Sequence, residues 1–181
     1  MYKLFILIFL VFPLYSEDNY KFSLAPFGSI LQHKSEIDEY TFMNGLLTSI
    51  EQHNTINNWH ISYGLEYGYL HWYGKNDIPD TNAHSLNIIC KGYGLPFNKR
   101  FNFSIGGGVG MLYAQPRTPP PGSHFNFNVF LDTTIYLKVY KNIGLYTGTR
   151  LYHLSNAALF SKARNPGYDS LLFFSGVTFT F

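Results

Sequence analysis

Two long stretches of this chain repeat every second residue. From Trp59 to Tyr73 the odd positions are Trp59, Ile61, Tyr63, Leu65, Tyr67, Tyr69, His71 and Tyr73, and the even ones are His60, Ser62, Gly64, Glu66, Gly68, Leu70 and Trp72. From Phe125 to Val139 the odd positions are again mostly bulky and apolar, with Asn126, Asn128, Phe130, Asp132, Thr134, Tyr136 and Lys138 between them. Successive side chains of a strand point to opposite faces, so a period of two marks a strand with one apolar face. A helix would repeat its apolar residues every three to four positions. Both stretches are far longer than the ~5–6 residues of an ordinary strand. The chain is thereby constrained to a sheet of long strands with two unlike faces.

Further strands are expected at about 20–31, 39–52, 83–95, 100–114, 143–155 and 169–181, which makes eight in all. Their connections differ in length. Asn54–Asn58, Pro96–Lys99 and Lys141–Asn142 are short, whereas Gly74–Asn82, Gln115–Ser123 and Asn156–Tyr168 are longer, and His33–Asp38 is moderate. Short turns at one end and long loops at the other match a barrel that crosses an outer membrane. The mixed face carries Glu66, Asp132, Lys138 and Arg150. An Arg or Lys facing the bilayer centre costs about 2–4 kcal/mol, whereas opposite charges inside a narrow barrel can pair. These four are therefore expected inside as an ion-pair network, with the apolar face turned to lipid. A water-soluble barrel would need the reverse. The expected fold is all-β, an eight-stranded antiparallel transmembrane outer-membrane β-barrel. Both termini then face the periplasm and the long loops lie outside the cell. The ending Val177, Phe179, Phe181 suits the last strand of such a barrel.

Composition agrees. Charged residues are 13% of the chain and aromatic ones 19%, against about 25% charged in a typical soluble domain. Abundant Tyr and Phe fit aromatic girdles at the two membrane interfaces. Beyond residue 16 no apolar run reaches the ~18 residues that would mark a membrane helix. Lys3, the apolar run Leu4–Tyr15 and Ser16 before Glu17-Asp18 read as an export signal. The expected organisation is a signal peptide over 1–16 and one barrel domain over 17–181. A net charge of +2 without a basic run gives no sign of a nucleic-acid partner. Cys90 is the sole cysteine, so no internal disulfide forms, and it reads as a small packing residue.

The chemistry is concentrated near the end. His153 and Ser155 are two apart on the expected seventh strand, on the face without Arg150, so they share the outer wall. Asp169 has the parity of Leu171 and Phe173 on the eighth strand and can lie beside His153. A serine hydroxyl is a weak nucleophile until a base takes its proton. Imidazole is the side chain suited to that near neutral pH, and a carboxylate on its other nitrogen fixes the tautomer. Asn156 and the backbone N–H groups around Ala157 and Ala158 are candidate donors to the oxyanion. Spacing alone gives an esterase-like site, and Tyr, His, Ser and Asn also decorate barrel rims.

The segments His153-Leu154-Ser155-Asn156-Ala157 and Asn165-Pro166-Gly167-Tyr168-Asp169-Ser170, followed by a strand with Gly176 and a terminal Phe, resemble the PagL-type lipid A 3-O-deacylases. The resemblance is specific over roughly the last 30 residues. It implies an eight-stranded outer-membrane barrel with His153 as base, Ser155 as nucleophile, Asp169 as acid and Asn156 as oxyanion donor. It also implies lipid A, within lipopolysaccharide, as substrate, cut at the 3-position. Aspartate is one methylene shorter than the glutamate associated with this family, so its backbone must come closer to His153. Asn165 or a water is the alternative third member.

Other features carry less. Gly106-Gly107-Gly108-Val109-Gly110 is followed by a strand pattern and not by the helix a phosphate loop needs. These glycines are expected to ease curvature or leave room beside bulky interior side chains. His33, His53, His60, His71, His84 and His124 lack metal-ligand spacing and are expected at rims and turns. Thr118-Pro119-Pro120-Pro121-Gly122 is expected to form a stiff loop. The expectation is a serine esterase of the outer leaflet of a diderm outer membrane. It needs no metal or cofactor, its neighbours are outer-membrane lipids, and the sequence is compatible with a monomer or a homodimer. The rivals are a non-catalytic barrel serving adhesion or membrane integrity, and an acyltransferase.

Overall fold

The computed structural model describes residues 20–34, 40–56, 59–75, 77–94, 100–118, 123–156 and 167–181. Every regular element among them is a strand: β1 (Tyr20–Lys34), β2 (Tyr40–Ile56), β3 (Trp59–Gly74), β4 (Thr81–Tyr93), β5 (Phe101–Thr118), β6 (Ser123–Tyr140), β7 (Ile143–Ser155) and β8 (Tyr168–Thr180). Each pairs antiparallel with the next, and β1 pairs with β8 to close the barrel. Closure removes the open edges that a sheet in lipid could not leave unpaired. At the seam Phe181 N–H donates to Tyr20 O at 2.9 Å and Tyr20 N–H to Phe181 O at 3.1 Å. The expected signal segment 1–16 lies outside the described residues.

The wall is turned as the alternation requires. Ile88, Leu131 and Leu151 are 66%, 64% and 61% exposed, while Asn87, Asp132 and Arg150 on the other face are buried. An outer wall this apolar is at home only in hydrocarbon. Cys90 lies on this outer face, exposed, and is not packed inside.

Inside, Arg150 joins the wall across the lumen. Its Nη1 and Nη2 bond Glu66 at 2.7 and 2.8 Å, and Nη2 bonds Asp132 at 2.8 Å. Lys138 differs from expectation. It points inward, but three inward positions below Asp132, and makes no ion pair among the described residues. A second cluster takes the place it was given. Glu51 binds Lys91 at 2.8 Å and Ser62 at 2.7 Å, with Lys21 at 3.5 Å. Nor is the interior polar throughout. Met43, Leu70, Trp72, Leu112, Leu154 and Leu172 fill its other end, next to the longer loops.

The glycine run makes room inside. A Cβ on Gly106 would come 2.5 Å from Lys91 Cγ, and one on Gly108 would come 2.5 Å from Phe130 Cζ. Two boundaries also differ from expectation. β2 runs to Ile56, which pairs with Trp59, so that turn is tighter. β5 runs through Pro116 to Thr118, which pairs with Ser123 after a register shift. The shift leaves Pro116, which has no N–H to donate, outside the regular ladder. Pro119–Gly122 lies outside the described residues.

Candidate active site

β7 and β8 position the candidate residues. On β7, Tyr152 and Leu154 are buried inside and hold the strand, while His153 and Ser155 face outward, half-buried. On β8, Tyr168 is buried with its ring edge-on to Trp72 at 6.2 Å, which anchors the strand's first residue. Asp169 then faces out by alternation. The hairpin register sets Asp169 directly opposite His153.

Directly opposed residues on antiparallel strands have Cα atoms about 4.5–5.5 Å apart. That approach is what an acid one methylene short of glutamate requires. Nδ1–H of His153 donates to Oδ1 of Asp169 at 2.6 Å. The two side chains are 44% and 57% exposed, so the pair sits at the surface of the wall. With Nδ1 committed to the carboxylate, Nε2 is the nitrogen left for chemistry.

Ser155 lies one outward position beyond His153, opposite Phe127 of β6. No hydrogen bond joins Ser155 to His153 among the described residues. Catalytic hydrogen bonds are commonly long in unliganded sites and tighten when substrate arrives. Asn156, the first residue past β7, is buried and interacts within the fold. Of the other oxyanion candidates, Ala158 lies outside the described residues, as does Asn165, the alternative third member. Gly167 was a motif residue without a role, and the structure sets it against the imidazole. A Cβ there would come 3.3 Å from Cε1 of His153.

Two apolar grooves meet at His153. One, of about 510 Å³, runs over β6–β8 past Val129, Leu131, Leu151, His153, Asp169 and Leu171. The other, of about 610 Å³, crosses the outer wall from Ser155 and Phe127 past Met111 and Ile88 to Leu65. The imidazole forms the ridge between them and lines both. Grooves of this size and lining are shaped for a long apolar chain.

Comparison with known structures places the fold among outer-membrane barrels. The crystal structure of the outer membrane enzyme PagL matches with a TM-score of 0.60 and 17% identity, over 86% of this chain and 97% of that one. Neisserial surface protein A matches equally well, with a TM-score of 0.61 and 16% identity over 90% and 96% of the two chains. OprG from Pseudomonas aeruginosa follows at 0.57 and 8% identity, over 92% and 97%. An enzyme and a surface protein match alike, so these likenesses fix the architecture and not the activity. The search of curated proteins gives no match. The family model of lipid A 3-O-deacylase (PagL) matches residues 44–178.

The chain belongs to the PagL family. Lipid A deacylation is therefore its class of reaction, and the outer membrane its location. The match runs from β2 to β8 of this PagL-family barrel, well beyond the last 30 residues that carry the sequence resemblance.

Proposed function

We propose that this PagL-family barrel is a serine esterase that removes the ester-linked 3-hydroxyacyl chain at the 3-position of lipid A. Ser155 Oγ attacks the ester carbonyl carbon, and Nε2 of His153 takes its proton. The tetrahedral intermediate collapses as Nε2–H protonates the departing sugar oxygen, leaving the acyl chain on Ser155. Water, deprotonated by His153, then attacks that ester and releases the hydroxy fatty acid. Asp169 holds the imidazole and stabilises its charged form. Asn156, directly after the nucleophile, supplies an oxyanion donor together with neighbouring backbone N–H groups. The site faces the outer leaflet, with both termini in the periplasm.

One observation carries this reading. The His153–Asp169 pair lies on the lipid-facing wall, with Nε2 free to address an ester beside two apolar grooves. The test is the mass spectrum of lipid A from cells with and without the protein. The reading expects loss of one hydroxyacyl mass from the 3-position, abolished by Ser155→Ala and His153→Ala. Unchanged lipid A would return the non-catalytic barrel, and added mass would point to an acyltransferase.

A further inference from the structure

The barrel mouth at the end where β1 begins and β8 finishes plays no part in the chemistry above. It is a cup of about 530 Å³, within the ~300–1,000 Å³ of small-molecule sites. Lys21, Arg100, Lys138 and Lys141 line it, and no carboxylate does among the described residues. Lys21, Arg100 and Lys138 occupy inward register positions, so the cup opens along the barrel axis and not to lipid.

The cup has a closed floor. Tyr93, Tyr136 and Tyr146 pack ring against ring across the lumen, with successive centroids 5.7 Å apart. Lys21 sits on this layer, 4.4 Å from the Tyr136 ring centre. Beneath it the single carboxylate of Glu51 serves both Lys21 and Lys91. Asp132 also acts on Lys91, so the described charges beneath the floor balance and the positive charge of the cup comes from its rim. Lys138 and Lys141 have no acidic partner among the described residues. Cations converging on one mouth repel one another and are stabilised by an anion between them.

Neutral donors complete the lining. Asn102, Asn142, Thr178 and Thr180 face the same space. His53 also lines it, and its Nε2 is buried with no hydrogen-bond partner among the described residues. A buried polar atom of that kind calls for a ligand or water. Several cations with amide and hydroxyl donors suit an oxyanion of more than one charge better than a single carboxylate.

We propose that this mouth binds a phosphate-bearing anion of more than one charge, held by Lys21, Arg100, Lys138 and Lys141. Such a group reaches the cup as a soluble phosphate ester or as the headgroup of a phospholipid at the rim. The test uses isotope-labelled folded protein in zwitterionic micelles, titrated with pyrophosphate at constant ionic strength. Saturable amide shifts are expected at Lys21, His53, Asn102, Lys138 and Thr180, weakened at least tenfold in Lys138→Gln/Lys141→Gln. Unchanged shifts elsewhere in the variant show that the barrel is intact. A second arm adds cardiolipin, whose headgroup carries two phosphates, to the micelles. The same shifts from that lipid alone assign the site to a headgroup, and persistence of the pyrophosphate response assigns it to a soluble ester. Shifts no larger than sodium chloride produces, or equal shifts in wild type and variant, overturn the proposal.

Discussion

Replacing Asp169 with Asn keeps the size of the side chain and removes its charge. The amide can turn its NH₂ toward Nδ1 of His153, which moves the ring proton to Nε2. The nitrogen nearest the substrate is then a donor and no longer a base. In a serine protease, where the triad is buried, this change costs ~10⁴ in kcat. The loss here is smaller because both side chains are about half exposed. At about 4 Å two unit charges attract by ~1 kcal/mol in water and ~4 kcal/mol at an effective dielectric of ~20, and the exposure argues for the screened part of that range. At ~1.4 kcal/mol per tenfold in rate, the expected loss is roughly 5- to 1,000-fold. The assay is the initial rate of hydroxy fatty acid release from purified lipid A in detergent micelles. Asp169→Ala leaves both tautomers open and is expected to retain at least as much activity as Asp169→Asn. An Asp169→Asn enzyme within twofold of wild type would show that another group orients His153.

Three further changes test other parts of the account. Arg150→Met leaves Glu66 and Asp132 buried without their cation and is expected to cost about 3–5 kcal/mol. Urea unfolding in lipid vesicles reads this, and a cost below ~1 kcal/mol would contradict it. Val109→Arg places a charge at the middle of β5 on the outer wall and is expected to cost about 2–4 kcal/mol in vesicles. A neutral result would mean that this face does not meet hydrocarbon. Asn156→Ala is expected to lower kcat by about 10²–10³-fold if its side chain serves the oxyanion. A loss under threefold would leave that task to backbone N–H groups.

The alternation carried most of the architecture because it reports which face a residue occupies. It does not report depth or distant partners. Trp72 and Leu70 share a face with Glu66, yet they fill a different level of the lumen. Glu66 and Arg150 are 84 positions apart, and only barrel closure brings them together. Lys138 has the parity of Asp132, and depth alone separates it from the network. The extension of β5 was hidden because Pro116 and the prolines after Thr118 read as a loop. A register shift before Thr118↔Ser123 accommodates the first of them. For the site, the shared face of His153 and Ser155 was legible from their spacing. That Asp169 can lie beside His153 was legible from its parity, and the hairpin register, which sequence alone leaves open, sets the two directly opposite.

The most direct test of the catalytic claim is the mass of the purified protein after exposure to a fluorophosphonate lipid analogue. The account predicts one phosphonyl adduct, mapped to Ser155, that forms slowly or not at all in His153→Ala. An adduct on another residue, or an unmodified protein that still deacylates lipid A, would contradict it.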